Sequence, residues 1–298
     1  MSTYPEIRDL QLLLALAQRK HFTQAAADCG ISQPAFSARI RHLEEELGVP
    51  IVRRGNKFLG FTPDGELVLK WASKIVTHAE GMRQDIEVVK GALAGNLVLG
   101  VVPTALSYAS MISTRLHKKH PKLAVQISSM TSHQISRALT DFSLDAGFTY
   151  QDDIDQQHVL LDPLYDEQYV LLVPAALAPC SNGQITWAEA SKLPLCLLSK
   201  NMHFREIVDD AFARANVTAQ PVMETNAFTA AIAKVTHGSA ATIAPSSLID
   251  GLLVSESTQL CKLVEPEVSY TIGLAVLDHE PVLPAITALR DAVRPDDK

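Results

Sequence analysis

The stretch FTQAAADCGISQPAFSARIRHLEEELG, residues 22–48, predicts two helices separated by a tight turn. Its three consecutive alanines, Ala25 to Ala27, are small enough to let another helix pack closely. Gly30 tolerates the positive φ that a tight turn requires. Ser32 is a favourable N-cap for the second helix, and Pro34 falls in the first turn of that helix, where a missing N–H does little harm. The stretch therefore predicts a helix-turn-helix.

The second helix of this stretch has one apolar face and one polar face. The apolar residues recur at spacings of three and four and predict a buried stripe: Phe36, Ile40, Leu43 and Leu47. The polar face offers hydrogen-bond donors and no acid before Glu44: Gln33, Ser37 and Arg41. Such a face suits base edges and phosphates in a DNA major groove. The alternative is a plain helical hairpin whose polar face is only solvated.

The flanking residues extend the pattern to a winged helix-turn-helix. Residues 7–19 are rich in Leu and Ala and predict a preceding helix, and Thr23 is the expected N-cap of a helix over 24–28. Residues 49–62, VPIVRRGNKFLGFT, predict a short β-wing whose basic residues would grip the DNA backbone. The residues expected to contact DNA are Thr23, Ser32, Gln33, Pro34, Ser37, Arg39, Arg41, Arg53, Arg54 and Lys57.

Residues 25–54, AAADCGISQPAFSARIRHLEEELGVPIVRR, followed by FTPDG, resemble the N-terminal signature of LysR-type transcriptional regulators. The spacing matches from Ala25 through Gly65 without a gap. Two residues depart from the signature: Val52 stands where the family usually has Phe, and Ala38 replaces a frequent polar or basic residue. These departures predict a differently packed wing and one weaker DNA contact.

Residues 63–94 predict one long helix with an apolar seam. The seam residues alternate at spacings of four and three: Val68, Ala72, Ile75, Ala79, Met82, Ile86, Val89 and Leu93. Pro63 suits the first turn of this helix. Self-pairing is favoured, because a small wing domain offers little surface for so long a seam; packing on its own domain is the alternative. Pairing would bring two recognition helices together on a two-fold symmetric operator.

From residue 96 onward, apolar strands alternate with helices. Strands are predicted at 96–102, 124–130, 144–150, 169–174, 195–199, 221–225, 240–248 and 270–277. Helices are predicted to follow several of them, starting near Thr104, Thr131, His203 and Ala227, and a last helix spans 282–292. The alternation predicts an α/β fold with a parallel, doubly wound sheet.

The LysR resemblance implies two subdomains of the periplasmic-binding-protein type, with an effector held in the cleft between them. The expected division is 1–62 for the DNA-binding domain, 63–94 for the linker and dimerisation helix, and 95–298 for the effector-binding domain. The first subdomain would comprise about 95–150 and 268–298, and the second about 155–265. The chain would cross near 149–155 and return near 265–268.

Ligand-binding residues in open α/β sheets lie beyond the carboxyl ends of strands, where helix N-termini point. Hydroxyl, amide and imidazole groups at such positions are the predicted effector-binding residues: Thr104, Thr131, Ser132, Asn201, His203 and Asn226. Free backbone N–H groups beside them suit a small anion. Each residue could instead be a simple N-cap. Thr104 and Thr131 are favoured because they match positions that LysR-type regulators use for effectors.

Charge and composition restrict the function further. Residues 1–95 hold 12 Lys+Arg against 11 Asp+Glu, and the remainder holds 14 against 22, so only the N-terminal head suits DNA. No apolar run reaches the ~20 residues of a membrane span, and the N-terminus does not resemble a signal peptide, so a cytoplasmic location is expected. The cysteines Cys29, Cys180, Cys196 and Cys261 are scattered, which favours buried thiols over a disulfide framework.

The sequence offers no catalytic motif or cofactor-binding loop, so neither an enzyme nor a cofactor is expected. His117 and His120 have the spacing of two metal ligands, but a third ligand is not apparent. The alternative to a regulator is a small-molecule-binding or transport-like protein whose N-terminal head only mediates assembly.

The favoured function is a ligand-responsive transcriptional regulator of LysR type. The expected partners are double-stranded operator DNA, a small effector and further copies of the chain, as a dimer through the linker helix. The resemblance implies a tetramer and adds RNA polymerase as a candidate partner. The effector region, especially LCLLSKNMHFR and VEPEVSYTIGLAV, loosely resembles LysR-type regulators found beside formate dehydrogenase genes, which implies formate or a similar small carboxylate.

Overall fold

A computed structural model describes residues 4–53, 58–154, 159–179, 182–250, 257–278 and 280–294. Its helices are α1 Ile7–Arg19, α2 Phe22–Asp28, α3 Gln33–Leu47, α4 Pro63–Val89, α5 Leu106–Lys119, α6 Ser132–Thr140, α7 Trp187–Ala190, α8 His203–Arg214, α9 Phe228–Thr236, α10 Ser246–Asp250 and α11 Pro284–Val293. Its strands are β1 Ala94–Val101, β2 Lys122–Ser129, β3 Ala146–Tyr150, β4 Val159–Pro174, β5 Gln184–Thr186, β6 Leu195–Leu198, β7 Met223–Thr225, β8 Ala241–Pro245, β9 Thr258–Val264 and β10 Ser269–Leu277. The predicted α/β region with an N-terminal helix-turn-helix and a long linker helix is confirmed.

The N-terminal head is built on the apolar stripe of α3. Phe36, Ile40 and Leu43 are buried, as predicted, in one core with Leu13 and Leu16 of α1. The close approach of α2 is made through Ala25 and Ala26, which are also buried in this core. The predicted packing role is therefore confirmed for Ala25 and Ala26, whereas Ala27 is exposed.

Of the two N-caps predicted for the helices of the head, one is confirmed and the other is wrong. The Ser32 hydroxyl accepts a hydrogen bond from the Ala35 N–H at 3.4 Å, so Ser32 caps α3 as predicted. Thr23 does not cap α2, because α2 already begins at Phe22 and His21 takes the N-cap position. The Phe22 ring packs edge-on against Phe36, which holds Phe22 against the core from within the helix.

Glu44 fastens the base of the wing to α3. Its side chain is buried, and Oε1 accepts hydrogen bonds from the backbone N–H groups of Ile51 at 2.9 Å and Val52 at 3.0 Å. Val52 pairs with Phe61 in an antiparallel bridge, which brings the two ends of the wing together. The carboxylate of Glu44 therefore has a structural role and is not exposed at the end of α3.

Helix α4 joins the head to the α/β region. The Thr62 hydroxyl caps it by accepting a hydrogen bond from the Gly65 N–H at 2.9 Å. A Cβ at Gly65 would lie 2.1 Å from the Ile51 carbonyl oxygen, so this contact requires glycine. Near the other end, the buried Gln84 side chain accepts a hydrogen bond from the Ala285 N–H at 3.2 Å and donates to the Asn96 carbonyl at 3.5 Å.

The sheet has the strand order β2-β1-β3-β10-β4-β8-β6-β7, and β9 and β5 are attached beside β4. Strand β1 is parallel to β2 and β3, and β6 is parallel to β7 and β8. Strand β10 is antiparallel to β3 and β4, and β4 is antiparallel to β8 and β9. The predicted parallel pairing is confirmed for β1 to β3 in one half and for β6 to β8 in the other. It is wrong for β4 and β10, which connect the two halves and run antiparallel to each other.

Strand β4 passes from one half of the sheet to the other. Through Gln168 it pairs with β10, and from Tyr169 it pairs with β8 and β9. The crossing predicted near 149–155 is therefore displaced into β4, whereas the return predicted near 265–268 falls just before β10. The first part of β4 was missed because polar residues interrupt its apolar ones; the short elements β5, α7 and β9 were missed as well.

The cysteines differ from the prediction at one position. Cys261 on β9 is buried and disulfide-bonded, whereas Cys29 and Cys196 are free. Cys180 lies outside the described residues. The preference for buried thiols therefore holds for Cys196 and is wrong for Cys261.

Replacing Glu44 with Ala is expected to destabilise the head by about 2–3 kcal/mol, because two buried N–H donors lose a charged acceptor. Amide hydrogen exchange should show lost protection at Ile51 and Val52. The matched control is Glu45→Ala, whose side chain is exposed and whose effect should stay within about 0.5 kcal/mol. Equal exchange rates in the two variants would show that Glu44 does not hold the wing.

Candidate DNA interface and effector cleft

The polar face of α3 is presented to solvent. Gln33 and Arg41 are exposed, and Ser37 is half-buried. A hydrogen bond of 3.0 Å joins Gln33 Nε2 to Ser37 Oγ, which orients the amide at the start of the helix. Arg41 has no ion-pair partner in the described part of the chain, so its guanidinium is available to a phosphate or a base edge.

The other predicted DNA contacts are only partly described. Thr23, Ser32, Pro34 and Arg53 are exposed. The Arg53 N–H donates to the Gly60 carbonyl at 3.0 Å, which places Arg53 on the ascending arm of the wing. Arg54 and Lys57 lie outside the described residues.

Arg39 is engaged within the head. Its Nε lies 2.5 Å from Oδ1 of Asp9, a residue that is almost fully buried, and its Nη2 lies 2.6 Å from Oε2 of Glu6. These hydrogen bonds raise the pKa of the Arg39 guanidinium and tie α3 to α1. The geometry therefore favours a structural role for Arg39 over the predicted DNA contact.

The apolar seam of α4 divides into a packed part and an exposed part. Ala72 is buried in the core of the head, and Val68 packs against that core. Farther along, the seam residues Ile75, Met82 and Ile86 are exposed. A second exposed row is added by Leu67 and Trp71, which the seam did not include. Packing on its own domain therefore describes the first part of the helix, and self-pairing stays a prediction for the exposed part.

Two predicted effector residues, Thr104 and His203, lie near each other where the halves of the sheet meet. Thr104 stands in the 3-10 turn Pro103–Ala105, directly after β1, and is almost fully buried. Its hydroxyl is 2.9 Å from the Tyr150 hydroxyl at the end of β3. Tyr150 donates in turn to Oε2 of Glu167 on β4 at 3.0 Å. These groups form a buried chain that ends on a carboxylate.

Glu167 is the electrostatic centre of this chain. It is 1% exposed, and burial raises the pKa of its carboxyl to about 7. The nearby hydroxyl groups of Tyr150, Thr104 and Tyr169 act in the opposite direction by favouring the carboxylate. The other oxygen, Oε1, is buried and has no hydrogen-bond partner among the described residues.

His203 approaches the chain from the other half of the sheet. As the first residue of α8, it places its ring 4.9 Å from the Tyr150 ring and 6.4 Å from the Tyr270 ring. Its Nε2 is 3.5 Å from Oδ2 of Asp153, and its Nδ1 is 3.2 Å from Oε2 of Glu206. His203 therefore bridges the two halves with acids on both sides of its ring.

Arg205 fixes the position of α8. The buried guanidinium donates to the Leu198 carbonyl at 2.8 Å, to Glu224 at 2.7 Å and to Asp209 at 2.8 Å. It therefore ties the first turn of α8 to the ends of β6 and β7. Because its donors are engaged there, Arg205 does not neutralise Glu167.

The remaining predicted effector residues are dispersed. The Thr131 hydroxyl accepts from the Gln134 N–H at 3.2 Å, and Gln134 returns the bond, so Thr131 forms a capping box on α6. Ser132 is buried, and its hydroxyl has no partner among the described residues. Asn201 and Asn226 are exposed. Only Ser132 of this group retains a free buried polar atom.

Sequence reasoning missed the residues that dominate the cleft: Tyr150, Asp153, Glu167, Tyr169 and Tyr270. A signal was available in YDEQY, residues 165–169, because a strand of period two places Tyr165, Glu167 and Tyr169 on one face. An acid between two tyrosines on the buried face of a strand is uncommon and marks a candidate site. The register of β10 against β4 adds a further tyrosine to this group, because Tyr270 lies opposite Glu167.

Among the described residues, no cluster of three or more His, Cys, Asp or Glu side chains could hold a metal ion. The helices in the described ranges are each too short or too polar to cross a membrane.

A helix-turn-helix head on a long helix, followed by two α/β halves joined through β4, defines a DNA-binding regulator with a ligand-binding domain. The chain belongs to the LysR family of bacterial regulatory proteins. Residues 7–66 match the bacterial regulatory helix-turn-helix protein, lysR family, and residues 90–297 match the LysR substrate binding domain. It is therefore a DNA-binding transcriptional regulator with an effector-binding domain, in a family of regulators rather than enzymes.

Relatives and solved structures agree with this assignment. The DNA-binding transcriptional dual regulator OxyR of Escherichia coli K12 is 26% identical over 290 residues, covering 97% of this chain and 94% of that protein. The hydrogen peroxide-inducible genes activator of Dickeya chrysanthemi has the same identity and coverage. A full-length OxyR point variant from Pseudomonas aeruginosa superposes with a TM-score of 0.77 at 26% identity, covering 98% of this chain and 95% of that one. Full-length CbnR in complex with its target DNA shares the fold, with a TM-score of 0.69 at 20% identity and coverage of 97% and 99%.

Substitution of Arg39 and substitution of Arg41 should have different effects, the first on stability and the second on DNA binding. Arg39→Ala leaves the buried Asp9 without its counter-charge and is expected to lower the free energy of unfolding by about 1–3 kcal/mol. Arg41→Ala should change stability by less than about 0.5 kcal/mol and instead weaken DNA binding, with the salt slope reduced by about 1. Urea unfolding and DNA titrations at several salt concentrations measure both. An Arg39 variant with normal stability and a reduced salt slope would restore Arg39 to the DNA interface.

Proposed function

We propose that α3 reads the operator through Gln33, Ser37 and Arg41, and that Arg53 and its neighbours on the wing hold the DNA backbone. The exposed polar face of α3, joined by the Gln33–Ser37 hydrogen bond, carries this proposal. An amide suits the paired donor and acceptor of adenine, and a guanidinium suits guanine or phosphate. Thr23, Ser32 and Pro34 complete the proposed surface, together with Arg54 and Lys57.

We propose that the division predicted from the sequence describes the working parts of the chain: a head of residues 1–62, a linker of 63–94 and an effector domain of 95–298. The exposed apolar residues of α4 support a dimer through the linker. The solved LysR-family structures are consistent with a tetramer, and RNA polymerase is a further proposed partner. A cytoplasmic location follows from the need to reach DNA.

We propose that the effector binds between the two halves of the sheet, in a cleft to which Thr104, His203, Ser132 and the buried Glu167 contribute. The convergence of residues from both halves on one buried chain supports this choice over the exposed Asn201 and Asn226. Thr131 is committed to its cap. A small anion, with formate as the named example, was expected from helix N-termini, but no observation favours formate, and the unpartnered carboxylate of Glu167 opposes an anion.

The names of the relatives raise a response to hydrogen peroxide as a second interpretation. Thiol-based sensing requires an accessible thiolate. Burial raises the pKa of both free thiols, Cys29 and Cys196, and Cys29 lies in the head, far in sequence from the effector region. Neither free cysteine therefore suits a peroxide sensor. The disulfide-bonded Cys261 on β9 is the one described cysteine that supports this second interpretation. We propose reversible ligand binding as the first interpretation, because polar groups from both halves of the sheet converge near Glu167.

We propose that ligand binding shifts the population of two cleft geometries. A change in the angle between the halves would alter the packing between effector domains and so the spacing of paired heads on DNA. Whether the operator responds by activation or repression depends on where it lies relative to the promoter.

Replacing Gln33 with Ala is expected to weaken operator binding by about 1–3 kcal/mol and to relax sequence preference, because a base-edge contact is lost. Arg53→Ala is the comparison variant and should weaken binding to all sequences alike while flattening the salt dependence. Competition between operator and scrambled DNA in mobility shifts measures both effects. Unchanged operator preference in the Gln33 variant would place the recognition surface elsewhere.

Replacing Ile75 with Asp is expected to remove one level of assembly in the full-length protein, because the charge would be buried at a partner helix. Its 43% exposure within one chain predicts that thermal stability of the monomer changes little. Lys70→Asp, at an exposed polar position of the same helix, is the control. Sedimentation velocity distinguishes the variants, and an unchanged assembly state for Ile75→Asp would exclude the seam as the interface.

A further inference from the structure

Glu167 places an unsatisfied acceptor between the two halves of the effector domain. It stands on β4 at the point where that strand leaves β10 and joins β8 and β9. Oε2 accepts from Tyr150, and Oε1 makes no hydrogen bond in the described part of the chain, although the residue is 1% exposed. The Tyr169 hydroxyl, which also makes no hydrogen bond there, is near enough to favour the carboxylate but brings no positive charge. A buried carboxylate oxygen left without a donor costs free energy that a ligand could recover.

The charges around Glu167 do not neutralise it. Two basic side chains of the second half are engaged elsewhere: Arg205 is bound to Asp209 and Glu224, and Lys262 is 3.3 Å from Glu267. His203 lies between two acids, the partly buried Asp153 and the exposed Glu206. Neither Arg205 nor Lys262 therefore neutralises Glu167, and burial raises the pKa of its carboxyl to about 7.

Aromatic rings surround the carboxylate. Tyr150, Tyr270 and His203 form a trio with ring centroids 4.9 to 6.4 Å apart, and Tyr270 lies opposite Glu167 on β10. Tyrosine faces attract cations placed within about 6 Å of the ring centroid. His203, an imidazole flanked by two acids, already packs on the Tyr150 ring from the second half of the domain. The arrangement combines an acceptor with aromatic walls.

We propose that the effector reaches Glu167 Oε1 with a positively charged hydrogen-bond donor, so that it is a small organic cation carrying an ammonium or guanidinium group. This inference rests on the proposed effector cleft and replaces the anion with a cation there. Tyr150 and Thr104 then orient the carboxylate toward the ligand.

A carboxylate effector would meet the opposite conditions. It would have to lie beside Glu167, and the pair would be tolerated only with a proton held between the two carboxyl groups. Anion binding would therefore weaken as pH rises. Cation binding has the reverse dependence, because it releases the proton from Glu167: affinity should rise with pH up to about 7, where Glu167 ionises, and then level off.

The first experiment is a thermal-shift and calorimetric panel on the full-length protein at equal ionic strength. The cations are methylammonium, tetramethylammonium, guanidinium and 1,4-diaminobutane, and the anions are formate, acetate and succinate. We expect at least one cation to stabilise the protein and to change its affinity for operator DNA, with affinity that increases between pH 6 and pH 7. Stabilisation by the anions alone would overturn the cation proposal while leaving the effector cleft intact.

The second experiment compares Glu167→Gln with Asp166→Asn. Asp166 is exposed and accepts a hydrogen bond from Thr271 at 2.7 Å, so its variant changes the same charge on the neighbouring residue of β4. We expect Glu167→Gln to lose on the order of 10–100-fold in affinity for the cation and to lose the pH dependence, whereas Asp166→Asn keeps both within about two-fold. Equal cation affinity in wild type and Glu167→Gln would overturn the proposal.

The ligand-free protein gives an independent measurement. Because the folded pKa of Glu167 is raised, the folded state holds its proton more tightly, so stability should fall as pH rises from about 4.5 through about 7. The other titratable groups facing Glu167 are the hydroxyls of Tyr150 on β3 and Tyr165 and Tyr169 on β4, whose pKa values are raised, Tyr270 on β10, and His203 with Asp153. Subtracting the Glu167→Gln profile removes their contribution. An unchanged profile in that variant would show that Glu167 is not the buried acid that the ligand meets.

Discussion

Strand β4 belongs to both halves of the effector domain at once, and this sharing constrains everything around the cleft. Its first part is held by β10 and its last part by β8 and β9, so the backbone between Asp166 and Tyr169 must turn from one sheet into the other. Side chains on this segment are necessarily near both halves. Glu167 is therefore surrounded by Tyr150 from one half and approached by His203 from the other, without any loop being required to bring them together.

Three buried acids of the chain differ in the groups that their carboxylates contact. Asp9 has Arg39 as a counter-charge, and Glu44 accepts two backbone N–H groups. Both acids thereby join neighbouring elements of the head. Glu167 has a single hydroxyl donor on one oxygen and none on the other among the described residues. Asp9 also has one oxygen without a hydrogen-bond partner among the described residues, but its other oxygen is paired with a guanidinium. Glu167 has no such counter-charge among the described residues, and this difference supports the proposed cationic ligand.

The sequence predicted the head more fully than the cleft, for a physical reason. Caps, turn residues and helical periodicity are local signals, so Ser32, Pro34 and the Phe36–Leu43 stripe could be read directly. The role of Arg39 could not, because its partners Glu6 and Asp9 come from a different helix. For the cleft, the positions of helix N-termini in the sequence predicted Thr131 and Asn226 as effector-binding residues. The groups that converge there lie on strands, and only the crossing of β4 and β10 brings them together.

The division of the effector domain into two halves determines how a ligand signal can reach the DNA. Helix α4 is fastened to the first half of the effector domain: Gln84 bonds to Asn96 and Ala285, and the His78 ring packs on Phe142. The head and the first half are therefore expected to move together, and a rotation of the second half does not pull on α4 through these contacts. We infer that the rotation is transmitted through the contact of the second half with another copy of the chain. Under this proposal a monomer would bind ligand without altering the spacing of its head from any other head, so the proposed regulation requires assembly.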